Sequence, residues 1–463
     1  MDRTMEALTH FTCATTYKGL PTNAVPMAVR RYLDSVGCAA GGFASESCRI
    51  ARELAESATS VNGISAFGIK DRSTPEYAIF ANSCATRYLD FNDGYVGCAT
   101  GGGVHPSDMA PAIVGAVEMV GGSGRDVVLA MYIGYEVAAT IADEVPLRAR
   151  GWDQGANISI ATAAAVGKVF GLDAQTLSNA IALAITPSIP LHVTRAGELS
   201  HWKGCAAPHA AATAMWAVRL AKAGMTGPSM PFEGVHGYWE NIFPLRLAQL
   251  AKPLDGRIGL ERVFTKPLPA EAHSLASVEE FLRLSTEIDV NEIESIQIRT
   301  YHMTWHEIGG GANDAKQKWD PQTRETADHS LPYLVAVALM DRKVTVDSFT
   351  PERIKDPALR PLMQKIAVSV DDAFEKRFQN GEMVSGIMVA LKNGAVIERE
   401  VNTFRGKPET PMSDDDLDAK FMTMIPQVLV TEDAEQLKKR LWSLDDLPRL
   451  DDVTGMYRKW KII

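Results

Sequence analysis

Four acid–base groups crowd one short stretch, "LDFNDGYVGCATGGGVHPSD", residues 89–108. They are Asp90, Asp93, Asp108 and His105, spaced around a run of glycines. A carboxylate beside an imidazole can set its tautomer and proton affinity for acid–base work. Glycines let backbone N–H groups approach a ligand closely. The run does not follow a strand, so it is no dinucleotide-binding turn. The plainer alternative is a capped loop, with Asp108 or Ser107 as N-cap of the next helix.

A second group lies in "RAGELSHWKGCAAPHAAATAMWA", where Arg195, His201, Trp202 and Lys203 precede an alanine-rich helix. Cations are misplaced at a helix N-terminus unless an anion is present, because that end already favours negative charge. The competing reading is a solvated loop. His209, inside the alanines, reads as a core histidine. In "FTKPLPAEAHS", Lys266 and His273 bracket two prolines at a change of composition, a favoured place for ligands or simply a rigid hinge. The stretch from Arg299 to Tyr333 reads as a long polar, glycine-rich loop holding His302, His306, Glu307 and His329. Its spacing is not HExxH, so no metal site is expected. Asp328 or Ser330 should cap the following helix. Glu136, on an apolar helix, requires a buried partner, with Arg148 a candidate.

The elements that must position these groups change character along the chain. Its 463 residues suggest two domains. Residues 1–262 read as mainly helical, rich in small apolar side chains suited to a bundle or an oligomer interface. From 263 to 402 the pattern alternates as strands among helices, with "GIMVALKNGAVIEREV" a hairpin whose Asn393-Gly394 pair signals a type I′ turn. Residues 403–463 return to helix, and the acidic run at 414–416 reads as a helix start. The fold class expected is α+β.

The net charge of −10 and the lack of any Lys/Arg-rich run argue against nucleic-acid binding. No apolar stretch is long enough to span a bilayer, and the N-terminus carries no secretory signal, so a cytoplasmic protein is expected. The six cysteines show no zinc-ligand spacing and read as buried thiols in a reducing compartment.

In order, "YLDFND", "HPSD", "GYEV", "KGCAAPHAAATAMWAVRLAKAGMTGP", "KPLPAEAHS" and "RETADHSLPYLVAVAL" resemble the MmgE/PrpD family over nearly the whole chain. The resemblance implies a large helical domain from residues 1–262 and 403–463, with a smaller α/β lid domain, 263–402, inserted between them. It also implies a homodimer, a small anionic carboxylate substrate, no cofactor and no metal. By that resemblance Asp90, Asp93, His105 and Lys266 are the catalytic set. Arg195, Lys203, His273, Gln154 and Tyr301 are expected to bind substrate.

The reaction expected is dehydration of a 2-hydroxy di- or tricarboxylate resembling 2-methylcitrate. The alternatives are an epimerase or isomerase of an iminodisuccinate-like dicarboxylate, a cis-aconitate-type decarboxylase, and a non-catalytic anion-binding homologue. Several positions depart from the family pattern. Gly94 stands where threonine is usual. Gln154 replaces a histidine, and the decarboxylase histidine of that region falls near Trp152. Leu199 occupies the place of a lysine, with Lys203 four residues later.

Overall fold

The computed structural model describes residues 2–97, 103–242 and 259–463, an α+β chain with many helices and one four-stranded sheet. Cys98–Gly102, most of the glycine run, lies outside the described residues. No described helix is long and apolar enough to cross a membrane. The chain divides into two compact units. One comprises Met1–His192, Gly204–Thr265 and Met412–Ile463; the other comprises Val193–Lys203 and Lys266–Pro411.

The first unit is a helical assembly. Its main helices include Ala24–Gly42, Pro75–Tyr88, Ala110–Val120, Gly124–Glu144, Gly155–Val169, Ala174–Ile185 and Ala206–Lys222. Every residue from Gly155 to Gly167 is buried, as an almost uniformly small and apolar helix requires. Small side chains let these helices approach closely: a Cβ on Gly134 would lie 2.4 Å from Met109 Sδ. Starts and stops follow local chemistry. Ser123 and Asp126 form a capping box, and left-handed Gly121 ends the preceding helix. The acidic run does start a helix, Asp414–Met424, capped reciprocally by Ser413 and Asp416. That helix packs on Ala24–Gly42, so the C-terminal segment completes the first unit. A short strand, β1 (Thr59–Ile64), also lies within this mainly helical stretch; its side chains are largely exposed, so it leaves little hydrophobic signature.

The second unit holds β2 (Ile293–Thr300), β3 (Ile366–Val370), β4 (Ser385–Leu391) and β5 (Val396–Val401), in the order β3-β2-β4-β5. β2 pairs parallel with β3 and antiparallel with β4, opposing Ile298 to Val368 on one side and to Ile387 on the other. The β4–β5 hairpin forms, but its turn is not type I′. Only Gly394 has positive φ (86°), and its N–H donates to the Leu391 carbonyl at 2.9 Å. Type I′ needs two left-handed residues, so this is a three-residue loop with glycine in the left-handed position. The expected polar loop is instead broken into short helices, His302–Ile308, Ala315–Trp319 and Arg324–Ala327. Ser330, not Asp328, caps Leu331–Asp341, accepting from the Tyr333 N–H.

Candidate active site

In the first unit the LDFND segment follows the Pro75–Tyr88 helix and turns sharply at Asp90, whose φ of 50° is left-handed. Aspartate is one of the few side chains that tolerate this conformation. Arg87, one turn back on the helix, meets the Asp90 carboxylate at 2.5 Å. Main-chain pairing fixes the next residues: Gly94 bridges Phe264 in both directions, and Tyr95 bridges Val104. The chain then delivers His105 back against Asp93.

His105 Nδ1 lies 2.6 Å from the Asp93 main-chain carbonyl. A carbonyl only accepts, so Nδ1 carries the hydrogen and the titrating lone pair belongs to Nε2. Nε2 lies 3.9 Å from Asp90 Oδ1. The imidazole is therefore oriented by the backbone of Asp93 rather than by its carboxylate. The carboxylate accepts from the Ser107 N–H at 3.1 Å and the Tyr135 hydroxyl at 2.7 Å. Burial, reinforced by the adjacent Asp93 charge, pushes the Tyr135 hydroxyl well above its ordinary pKa, so it stays a donor.

Asp108 does not cap the next helix. The chain passes through a 3₁₀ turn, Pro106–Met109, and that helix has no side-chain cap. Asp108 instead turns into the buried cluster and accepts from Asn92 Nδ2 at 2.9 Å. Ser107 Oγ takes the other Asn92 hydrogen at 2.9 Å. Gln154 closes the group: its Oε1 accepts from the His105 N–H at 2.7 Å, and its Nε2 reaches Asp108 at 3.5 Å. The glycine at position 94 has a steric reason. A Cβ there would lie 2.6 Å from the Phe264 ring and 3.4 Å from His105 Nδ1.

In the second unit Lys266 is fully buried and donates to the Ala270 carbonyl at 3.0 Å, curling the KPLPA segment around its own ammonium. His273 Nδ1 lies 2.6 Å from the Tyr301 hydroxyl, and Tyr301 stacks on Phe378 with ring centroids 4.0 Å apart. Burial drives the Tyr301 hydroxyl well above its ordinary pKa. Glu271 anchors this corner by accepting from the His273 N–H at 2.7 Å. Lys203 is buried and commits its charge to Asp328 at 2.5 Å, and Asp328 also meets His329 Nδ1 at 2.8 Å. Arg195, also buried, donates to the Lys203 carbonyl at 3.2 Å. His302 and His306 stack one turn apart on a single short helix.

Other residues escaped the sequence reading. Arg87 gave a usable signal, a cation in the last turn of the helix that ends just before Asp90. Asp34 and Lys420 gave none, because they lie far apart in the chain and meet only when the C-terminal helix packs back. Glu136 accepts from the Gly259 N–H at 2.5 Å. His209 is exposed rather than in the core, since it falls on the outer face of its alanine-rich helix.

Models of the MmgE/PrpD N-terminal domain and the MmgE/PrpD C-terminal domain match residues 6–249 and 268–446. Among similar proteins, the mitochondrial 2-methylcitrate dehydratase of Yarrowia lipolytica is 25% identical, over 80% of this chain and 74% of that protein. The 2-methylcitrate dehydratase of Escherichia coli is also 25% identical, over 80% and 79%. Human cis-aconitate decarboxylase is 25% identical over 95% of this chain and 91% of its own. The two domain models together span most of the sequence, and the chain belongs to the MmgE/PrpD family.

Proposed function

We propose that this protein is a lyase that dehydrates a 2-hydroxy di- or tricarboxylate resembling 2-methylcitrate, using side chains alone. The observation that carries the reading is the fixed tautomer of His105: Nδ1–H on the Asp93 carbonyl, Nε2 as the basic atom beside Asp90. Nε2 removes the proton from the carbon next to a substrate carboxylate. Negative charge then develops on that carboxylate's oxygens and needs a cation or strong donors. Lys266 supplies that charge, with Arg195 and the His273–Tyr301 pair as further anion contacts. The β-hydroxyl leaves with a proton, so a C–H and a C–OH bond are exchanged for a double bond and water. Asp93 and Gln154 hold the histidine, and Lys203 neutralises Asp328. The reading extends to a cytoplasmic homodimer.

A second reading, epimerisation or isomerisation, is favoured by Gln154. It stands where dehydratase-like members carry a histidine, and its amide is spent on the His105 backbone and Asp108. One panel in deuterated water separates the cases: methylcitrate, citrate, cis-aconitate and chiral amino-diacids. Enoate absorbance supports the dehydratase. Deuterium uptake without net conversion moves the assignment to an epimerase, and CO2 release to a decarboxylase. Tight binding of these acids with neither exchange nor turnover overturns an enzymatic role.

A further inference from the structure

The C-terminal helix reaches the catalytic segment through one side chain. Lys420, on the helix Asp414–Met424, is buried, and its ammonium donates to the Phe91 carbonyl at 2.8 Å. The same ammonium lies 3.9 Å from the centre of the Phe91 ring and 2.6 Å from Asp34 Oδ1. Asp34 is itself buried, on the long helix Ala24–Gly42. Phe91 sits between left-handed Asp90 and the Asn92–Asp93 pair. Every neighbouring attachment is also polar and buried: Asn92 to Ser107 and Asp108, the Asp93 carboxylate to Ser107 and Tyr135, the Asp93 carbonyl to His105.

We propose that Lys420 is a positioning residue, whose ammonium fixes the Phe91–Asp93 backbone so that the Asp93 carbonyl holds His105 as its Nδ1–H tautomer. The significance for catalysis rests on His105 being the acid–base group, but the positioning itself does not.

Three features make a tether of this kind necessary. The left-handed Asp90 backbone is of a type that costs on the order of 1–3 kcal/mol and persists only when its surroundings over-determine it. The Phe91 carbonyl is the first acceptor after that bend, and a charged donor holds it more strongly than a neutral one. The ammonium is itself immobilised, because Asp34 and the Phe91 ring flank it in a buried site. Burial pushes the Asp34 carboxyl above its ordinary pKa while the Lys420 charge opposes that shift. Arg31, on the same helix as Asp34, donates to Thr265 and to the Leu260 and Val263 carbonyls, steadying the segment that Gly94 pairs with.

The test reads His105 directly and needs no substrate. Long-range ¹H–¹⁵N spectra of the full-length protein, labelled at histidine, distinguish Nδ1–H from Nε2–H rings, and His105→Gln identifies the signal. Lys420→Met alone would strand a buried carboxylate and endanger folding, so the measured protein is the pair Lys420→Met/Asp34→Asn, which removes both charges. The expected result is a folded variant whose His105 signal moves from the Nδ1–H pattern towards a mixture of tautomers. With a substrate in hand, kcat should fall roughly ten- to a hundredfold at nearly constant KM, the signature of misplaced catalytic geometry. A folded double variant with an unchanged His105 spectrum overturns the proposal. If His105 instead proves dispensable for turnover, the acid–base reading falls while the spectral result still decides the role of Lys420.

Discussion

His105 Nδ1 stands 2.6 Å from the main-chain carbonyl of Asp93, while the carboxylate of the same residue is bound elsewhere, by Tyr135 and Ser107. Asp93 thus does two separate jobs. Its side chain pins the turn after His105, and its backbone sets the imidazole tautomer. Neither requires the carboxylate to exchange a proton.

Replacing His105 by asparagine tests that division. Asparagine can keep a donor near Nδ1 and so preserve the bond to the Asp93 carbonyl, but it has no basic nitrogen at the Nε2 position. Turnover should fall by about 10²–10⁴, the usual contribution of a general acid–base group. Thermal unfolding should move by only a few degrees. Wild-type turnover in a correctly folded His105→Asn protein would remove the histidine from the chemistry.

The sequence displayed the chemical parts more clearly than their connections. Asp90, Asp93 and His105 were legible because acids and a histidine rarely cluster for packing. That the Asp93 carbonyl, rather than either carboxylate, orients the ring was invisible, since main-chain acceptors leave no mark on residue type. The helical segments were legible from small apolar residues at helical spacing. β1 was not, because exposed strands lack that pattern. The turn at Gly394 was assigned to the wrong class for a related reason: Asn-Gly serves both hairpin geometries, and the flanking hydrogen bonds decide between them. The Lys420–Asp34 tether joins residues nearly four hundred positions apart, which no local pattern encodes.

Gly94 makes a sharper prediction about specificity. Its missing Cβ is space occupied by the Phe264 ring, 2.6 Å away. Gly94→Thr alone should destabilise the protein by about 1–3 kcal/mol through overpacking. Combining it with Phe264→Ala should recover a good part of that loss and place a hydroxyl close to His105. Urea unfolding of the two single variants and the double variant measures the coupling. Strict additivity would show that the ring and the glycine are not sterically linked.

High pH should reveal the buried hydroxyls. Tyr32, Tyr135, Tyr301 and Tyr457 all have pKa values raised chiefly by burial. Above pH about 10 the unfolded chain releases these protons while the folded protein keeps them, so the unfolded state binds fewer protons. Stability is then full below that pH and declines above it, by roughly 1.4 kcal/mol per pH unit for each such group. Tyrosinate absorbance from these residues should therefore appear together with loss of helical circular dichroism. Complete ionisation with the helical signal intact would contradict the assignment.

Two of the buried lysines of the second unit, Lys203 and Lys266, should fail differently. Lys203 is committed to Asp328, so Lys203→Ala removes the ammonium from a buried ion pair and should cost about 3–5 kcal/mol of stability. Lys203→Met/Asp328→Asn should regain most of that cost. Lys266 donates to the Ala270 carbonyl at the start of the segment proposed to capture a carboxylate. Lys266→Ala should weaken carboxylate capture by about 1.5–3 kcal/mol, the value of a hydrogen bond to a charged group, with KM rising roughly ten- to a hundredfold. Its kcat falls in addition if the ammonium also stabilises charge as it develops, because only interactions stronger in the transition state lower the barrier. The comparison of kcat with KM therefore measures how far Lys266 acts beyond binding. A Lys266→Ala protein that only unfolds more easily, with both constants unchanged, would reduce it to a structural lysine like Lys203.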